Sequence, residues 1–150
     1  MKLHTASEVI SFARELENES TRFYQELSEK YAQDKDVLLS FAEENWRNVK
    51  QTERAYYGVI TDAIEGCFAF SLDSDDYRFE ATLGEKASYS DALDKAVEIE
   101  EKMVRFYSDA AEQAESLLAD VPRTFMMIAK RRNTRRVKLR GLLGRKLKDD

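Results

Sequence analysis

Cysteine, histidine and proline each occur once in this 150-residue chain, and glycine only five times. A lone cysteine, Cys67, excludes an internal disulfide and any Cys-x-x-Cys metal knuckle. A lone histidine, His4, leaves conventional zinc and haem ligation almost nothing to use. So few turn formers argue against a many-turned β fold. With 35% charged and 43% hydrophobic residues, the composition favours long helices. No stretch approaches the roughly 18–20 apolar residues of a membrane span, so no membrane partner is expected. The opening MKLHTASEV lacks an apolar signal segment, and a cytoplasmic location is the expectation. The length suits one domain, residues 1–150, with a single substantial core.

What is present is unevenly charged. Residues 121–150 carry 11 Lys/Arg against two Asp, a net +9, whereas the first 120 carry 13 against 27 acids, a net −14. A basic helix packed beside acidic ones accounts for this split. The alternative is an anionic partner such as nucleic acid, but the segment has few aromatics for base stacking and no binding motif, so nucleic acid is not expected.

Apolar positions recur every three or four residues in four segments, which predicts four packed antiparallel helices. The first spans about Thr5–Lys30, with Thr5 or Ser7 as N-cap, and presents Ile10, Ala13, Glu17, Ser20, Tyr24, Leu27 and Tyr31. The second, about Asp34–Ile64, presents Leu38, Phe41, Asn45, Asn48, Thr52, Ala55 and Val59. The third, about Ser90–Leu118, opens on Ser90 and Asp91 and presents Leu93, Ala96, Glu100, Met103, Tyr107, Ala110, Ala114 and Leu117. The fourth follows Pro122 and presents Val121, Phe125, Ile128, Arg132, Arg135, Leu139 and Leu142. Each stripe turns polar near its middle. Four lapses at comparable depth predict a polar layer inside an apolar bundle.

Residues 9–24 and 92–107 align without a gap at an offset of 83, sharing Ala13/Ala96, Glu15/Glu98, Glu17/Glu100, Arg22/Arg105, Phe23/Phe106 and Tyr24/Tyr107. The chain thus reads as two related helical hairpins. Gly66–Tyr89 is long enough to cross the bundle, so helix three runs parallel to helix two, up-down-down-up. Its aromatics predict packing along the bundle, with a short helix around Asp75–Leu83.

The paired Glu…Phe-Tyr helices, with Phe41-Ala42 and Ile128-Ala129 in the second helix of each half, resemble the rubrerythrin branch of the ferritin-like superfamily. The resemblance covers most of the chain. It implies an all-α, ferritin-like four-helix bundle with a long crossover between helices two and three. In that family one Glu from each of two helices, and a Glu-x-x-His from each of the others, hold a pair of iron or manganese ions. Glu17 and Glu100 match the single-Glu positions. The Glu-x-x-His positions fall on Asn45 and Asn48 in the first half and on Arg132 and Arg135 in the second. Sliding the first half by one residue would use Glu44 and Arg47, still without a histidine, and would break the helix-two stripe. The family's electron-transfer module, which needs four cysteines, has no counterpart here.

The substitution is physically coherent. Two facing carboxylates in a low-dielectric layer need countercharge, and two guanidiniums can supply it with bidentate geometry. The competing reading has Arg132 and Arg135 reach out to solvent on their aliphatic stems. Tyr24 and Tyr107 read as paired core aromatics, and Trp46 as packing at a helix interface. Cys67 has no neighbour in sequence that would depress its pKa. The expected protein is metal-free, without a cofactor or catalysis, and homodimeric, with a structural or interaction role toward a protein partner. The alternative is a metal-binding oxidoreductase retaining iron or manganese through Glu17, Glu100 and neighbouring oxygens.

Overall fold

A computed structural model describes residues 1–57, 69–116 and 120–149. Among these, four long helices dominate: α1 (Ala6–Lys30), α2 (Lys35–Tyr57), α3 (Tyr89–Gln113) and α4 (Asp120–Asp149). The expected all-α class holds. The expected end of helix two at Ile64, with Val59, and the stretch holding Gly66, Cys67 and Phe68 lie outside the described residues, as do Leu117 and Leu118.

Local chemistry sets the helix starts. Thr5 caps α1: its hydroxyl accepts from the Glu8 amide at 3.1 Å, while Glu8 Oε1 accepts from the Thr5 amide at 3.0 Å. At α3 the cap is Ser88, and the helix starts at Tyr89, one residue before the expected opening at Ser90. Ser88 Oγ accepts from the Asp91 amide at 3.1 Å and Asp91 Oδ2 accepts from the Ser88 amide at 3.0 Å. The box needs its acid three residues after the cap, and only Ser88 meets that spacing. Pro122 sits in the first turn of α4, where its missing N–H costs nothing.

Side-chain pairs fix the helix directions. Asn45 reaches Ser20, and Asn48 reaches Glu17, so α1 and α2 run antiparallel. Tyr24 meets Glu100, and Tyr107 meets Glu17, so α1 and α3 are also antiparallel. Arg131 meets Gln51 and Arg135 meets Glu44, which reverses α4 against α2. The order is therefore up-down-down-up, with α3 parallel to α2.

The described part of the segment between α2 and α3 is pinned along its length. Its strand β2 (Leu72–Asp73) pairs antiparallel with β1 (Lys2–Leu3), Leu3 opposite Leu72 and Lys2 opposite Asp73. The Tyr77 hydroxyl donates to Asp109 at 2.6 Å, and Arg78 reaches Glu15 at 2.7 Å. The Tyr31 hydroxyl donates to the Ala87 carbonyl at 2.5 Å. The short helix expected around Asp75–Leu83 does not form. A single 3-10 turn, Ser74–Asp76, is all that appears, and residues 78–84 are irregular. Phe70, Leu72 and Tyr77 are each buried against the bundle, and the Arg78 carbonyl accepts from Lys102 at 2.7 Å, so the chain is held extended.

The core runs through all four inner stripes, from Ala13 and Leu38 to Leu139. α1 buries a second stripe as well, Val9, Phe12, Leu16 and Phe23, and Arg78 of the crossover lies over the Phe12 ring at 5.2 Å. There the Phe12 and Phe106 rings meet edge-on at 5.3 Å, as do Tyr77 and Phe106. Trp46 corrects an expectation. It is 63% exposed, because it follows Asn45 by one residue and a helix turns about 100° per residue.

The caps give a discriminating test. Ser88→Ala should lower stability by about 1 kcal/mol in denaturant titration. Ser90→Ala should cost nothing measurable, since the Ser90 hydroxyl is buried without a partner among the described residues.

Candidate functional site

The polar lapses of the four stripes meet in one layer. Glu17, Asn45, Asn48, Glu100, Arg132 and Arg135 are all at most 2% exposed. The reading in which the arginines reach solvent is thereby overturned. Each is held by a seam position flanked by buried residues, Ile128 and Ala129 on one side and Leu139 on the other.

Arg132 is the centre. Its Nη1 donates to both oxygens of Glu100, at 2.8 and 3.0 Å, and its Nη2 donates to Glu17 Oε2. One guanidinium therefore bridges carboxylates from two helices. Arg135 donates to Glu100 Oε1 at 3.2 Å and, from its other nitrogen, to Glu44 at 2.6 Å. Its guanidinium also lies over the Phe41 ring at 4.7 Å and the Tyr24 ring at 5.4 Å.

The asparagines complete the layer. Asn45 Oδ1 accepts from Arg132 and Arg135, both at 2.8 Å, while its Nδ2 donates to Ser20 at 3.0 Å and Thr21 at 3.2 Å. Asn48 donates to Glu17 at 3.4 Å. Arg47, which a one-residue slide would turn inward, instead faces solvent and pairs with Glu43 at 3.8 Å.

Three members were not assigned to the layer from sequence: two tyrosines and Glu44. The Tyr24 hydroxyl donates to Glu100 at 2.6 Å and the Tyr107 hydroxyl to Glu17 at 2.7 Å. These crossed bonds join α1 and α3 symmetrically. The equal Glu-to-Tyr spacing in the two copies was the available signal. Glu44 is the last of the three, a one-third exposed carboxylate at the rim.

Burial is the strongest influence on both inner acids, and the neighbours decide the outcome differently. Glu17 is pushed above the ordinary carboxylate value, because burial outweighs Arg132 and the bond from Tyr107. Glu100 is held below it: burial raises it, but Arg132, Arg135 and the bonds from Tyr24 and Arg132 together prevail. Burial and the adjacent carboxylates lift both tyrosines well above 10, which keeps them as donors. Arg132 is raised, since Glu100 and Glu17 outweigh the burial that opposes its charge.

The donor set does not fit a di-metal centre. Only two of the six positions are carboxylates, and a cation between them would displace the Arg132 guanidinium. Among the described residues, no three His, Cys, Asp or Glu are grouped to hold a metal ion. On α4 three of the outward bases meet an acid or an amide: Arg140 reaches Glu101 at 2.5 Å, Arg136 lies 3.8 Å from it, and Arg131 reaches Gln51 at 2.5 Å. No family model, curated protein or solved structure matches the chain.

Arg132→Ala should destabilise the protein by about 3–5 kcal/mol, since it leaves buried carboxylates without countercharge. Arg132→Glu should be worse, because it adds a third acid. A change within about 0.5 kcal/mol in denaturant titration would place Arg132 outside the core.

The two acids should also respond oppositely to pH. Glu100, held below 4.5, contributes stability that is present above that value and lost as pH falls through its lowered value. Glu17, held above 4.5, contributes stability that is present below 4.5 and lost as pH rises through its raised value. The destabilisation caused by Glu100→Gln should therefore grow with rising pH, and that caused by Glu17→Gln should shrink. Urea titrations of both variants and the parent at several pH values read this directly, and parallel profiles would contradict it.

Proposed function

We propose that this chain is a metal-free, non-catalytic bundle protein of the ferritin-like, rubrerythrin-related kind, in which a Glu/Arg/Asn ion-pair layer has taken the place of the di-metal centre. Its role is structural or one of interaction with a protein partner, and it works inside the cell as a homodimer.

The observation that carries this reading is the Arg132 guanidinium hydrogen-bonded to Glu17 and Glu100 at once, all three essentially inaccessible to solvent. The countercharge that the two inner carboxylates need is supplied by Arg132 and Arg135. The carboxylate oxygens a metal would use are already taken by Arg132, Tyr24 and Tyr107. The duplicated hairpins, the up-down-down-up order and the long crossover support the ferritin-like assignment. The pairing of Arg136 and Arg140 with Glu101, and of Arg131 with Gln51, supports an internal use for those three bases rather than nucleic-acid binding.

Elemental analysis of protein produced with added iron and manganese tests the proposal. The expected result is no stoichiometric iron, manganese or zinc. Two ions per chain would overturn it, and one ion would favour a metal-binding oxidoreductase built on Glu17, Glu100 and neighbouring oxygens.

A further inference from the structure

α2 carries two stripes, and the bundle uses only one. The inner stripe (Leu38, Phe41, Asn45, Asn48 and Thr52) is buried. On the opposite face Asp36, Leu39, Glu43, Trp46, Lys50 and Arg54 are exposed and recur every three or four residues. Such spacing is what a helix packed along a second helix shows. Trp46 stands at the centre at 63% exposure, with Leu39 a turn or two before it at 37%. Large apolar side chains aligned on one exposed face mark an interaction surface.

The stripe is also sorted by charge. Before Trp46 it holds the acids Asp36 and Glu43; after it come the bases Lys50 and Arg54, with exposed Arg47 on its flank. A helix with acid at one end, base at the other and an aromatic between them is complementary to itself reversed. Within one chain these charges have only weak exposed partners: Glu43 lies 3.8 Å from Arg47, both largely in solvent, and Lys50 covers the Trp46 ring at 5.3 Å.

We infer that this outer face of α2 is the interface for a second copy of the chain, packed antiparallel about a twofold axis between Trp46 and Arg47. That axis sets Glu43 opposite the partner's Lys50 and Leu39 opposite the aliphatic stem of the partner's Arg54. Trp46 stacks on the partner's Arg47, and each contact occurs twice, as a self-complementary interface requires. A parallel arrangement would oppose acid to acid and base to base. Beside Trp46 the surface forms an open groove of about 550 Å³ between α1 and α2, floored by Leu39 and Ala42 and edged by Thr21, Gln25 and Glu43. It gives the partner's side chains next to the axis somewhere to seat. Aromatic and arginine residues at the centre with charged residues at the edge is the ordinary anatomy of a protein interface.

This inference names a partner for the interaction role, and its test is separate from metal content. Sedimentation velocity on the full chain, at several concentrations and two salt levels, reads it. The parent should be dimeric and dissociate more readily at higher salt. Trp46→Ala should weaken the dimer by about 30-fold or more, as expected of a central anchor. Glu43→Lys and Lys50→Glu should each weaken it by roughly tenfold or more, by setting like charges against each other. Combining the two should restore association, which damage to the fold could not produce. Circular dichroism melts should show that all variants remain folded. A parent that stays monomeric to about 100 μM would overturn the inference. So would a dimer indifferent to Trp46→Ala, or single charge reversals that the double variant does not rescue.

Discussion

Arg132 holds the bundle together at the one depth where hydrophobic packing cannot. Glu17 on α1 and Glu100 on α3 face each other inside the core, and two ionised carboxylates in a low-dielectric layer repel strongly. A single guanidinium from α4 bridges them, and Asn45 from α2 accepts from that same guanidinium. Every helix contributes to one hydrogen-bonded unit, so no helix can shift along its axis without stranding a buried ion. A shift of one turn, about 5.4 Å, would separate Arg132 from both carboxylates. Breaking such a pair costs several kcal/mol, although the assembled layer need add little relative to an apolar core. Its main consequence is to make one register of the four helices far better than its neighbours.

The two halves of the chain contribute to that layer unequally. The first helices play matched roles: each supplies a Glu and, seven residues on, a Tyr that crosses to the other helix's Glu. The second helices differ: α2 supplies neutral Asn45 and Asn48, and α4 supplies cationic Arg132 and Arg135. Two negative and two positive charges leave the interior formally neutral. The division is uneven, because Glu100 meets both guanidiniums while Glu17 meets only Arg132. That inequality is why one acid is held below its ordinary value and the other above it.

The six inward positions were legible in the sequence because a polar residue on an apolar stripe is conspicuous, and four such lapses at one depth are more so. Direction of the helices was legible from the length of the crossover. Other features were not, for identifiable reasons. One stripe per helix describes a four-helix bundle, but α1 also buries Val9, Phe12, Leu16 and Phe23, with Phe12 beneath Arg78 of the crossover, and that extra layer has no local signature. The pairing of Lys2–Leu3 with Leu72–Asp73 joins residues some 70 apart through two-residue strands, too short for any alternation to register. The crossover's aromatics pointed to packing along the bundle, but the short helix expected around Asp75–Leu83 does not form, because the partners on α1 and α3 that hold that stretch are invisible in one dimension. Trp46 was misplaced for a simpler reason: hydrophobicity says that a side chain prefers burial, while its position on the helix says which way it points.

α2 is where the interior and the surface constrain each other. Its inner stripe places Asn45 and Asn48 in the polar layer, which fixes the rotation of the helix about its own axis. The same rotation turns Asp36, Leu39, Glu43, Trp46 and Lys50 outward together. A one-residue slide of α2 would bring Glu44 and Arg47 inward and move Trp46 off the centre of the outer face, to the place Arg47 now holds. The ion-pair layer forbids it, because Arg132 and Arg135 would then lose the Asn45 oxygen that both of them share. The charge-sorted outer face is therefore presented in one orientation only. A surface meant to pair with its own reversed copy requires that fixed presentation, since a twofold contact doubles any error in the rotation of the helix that carries it.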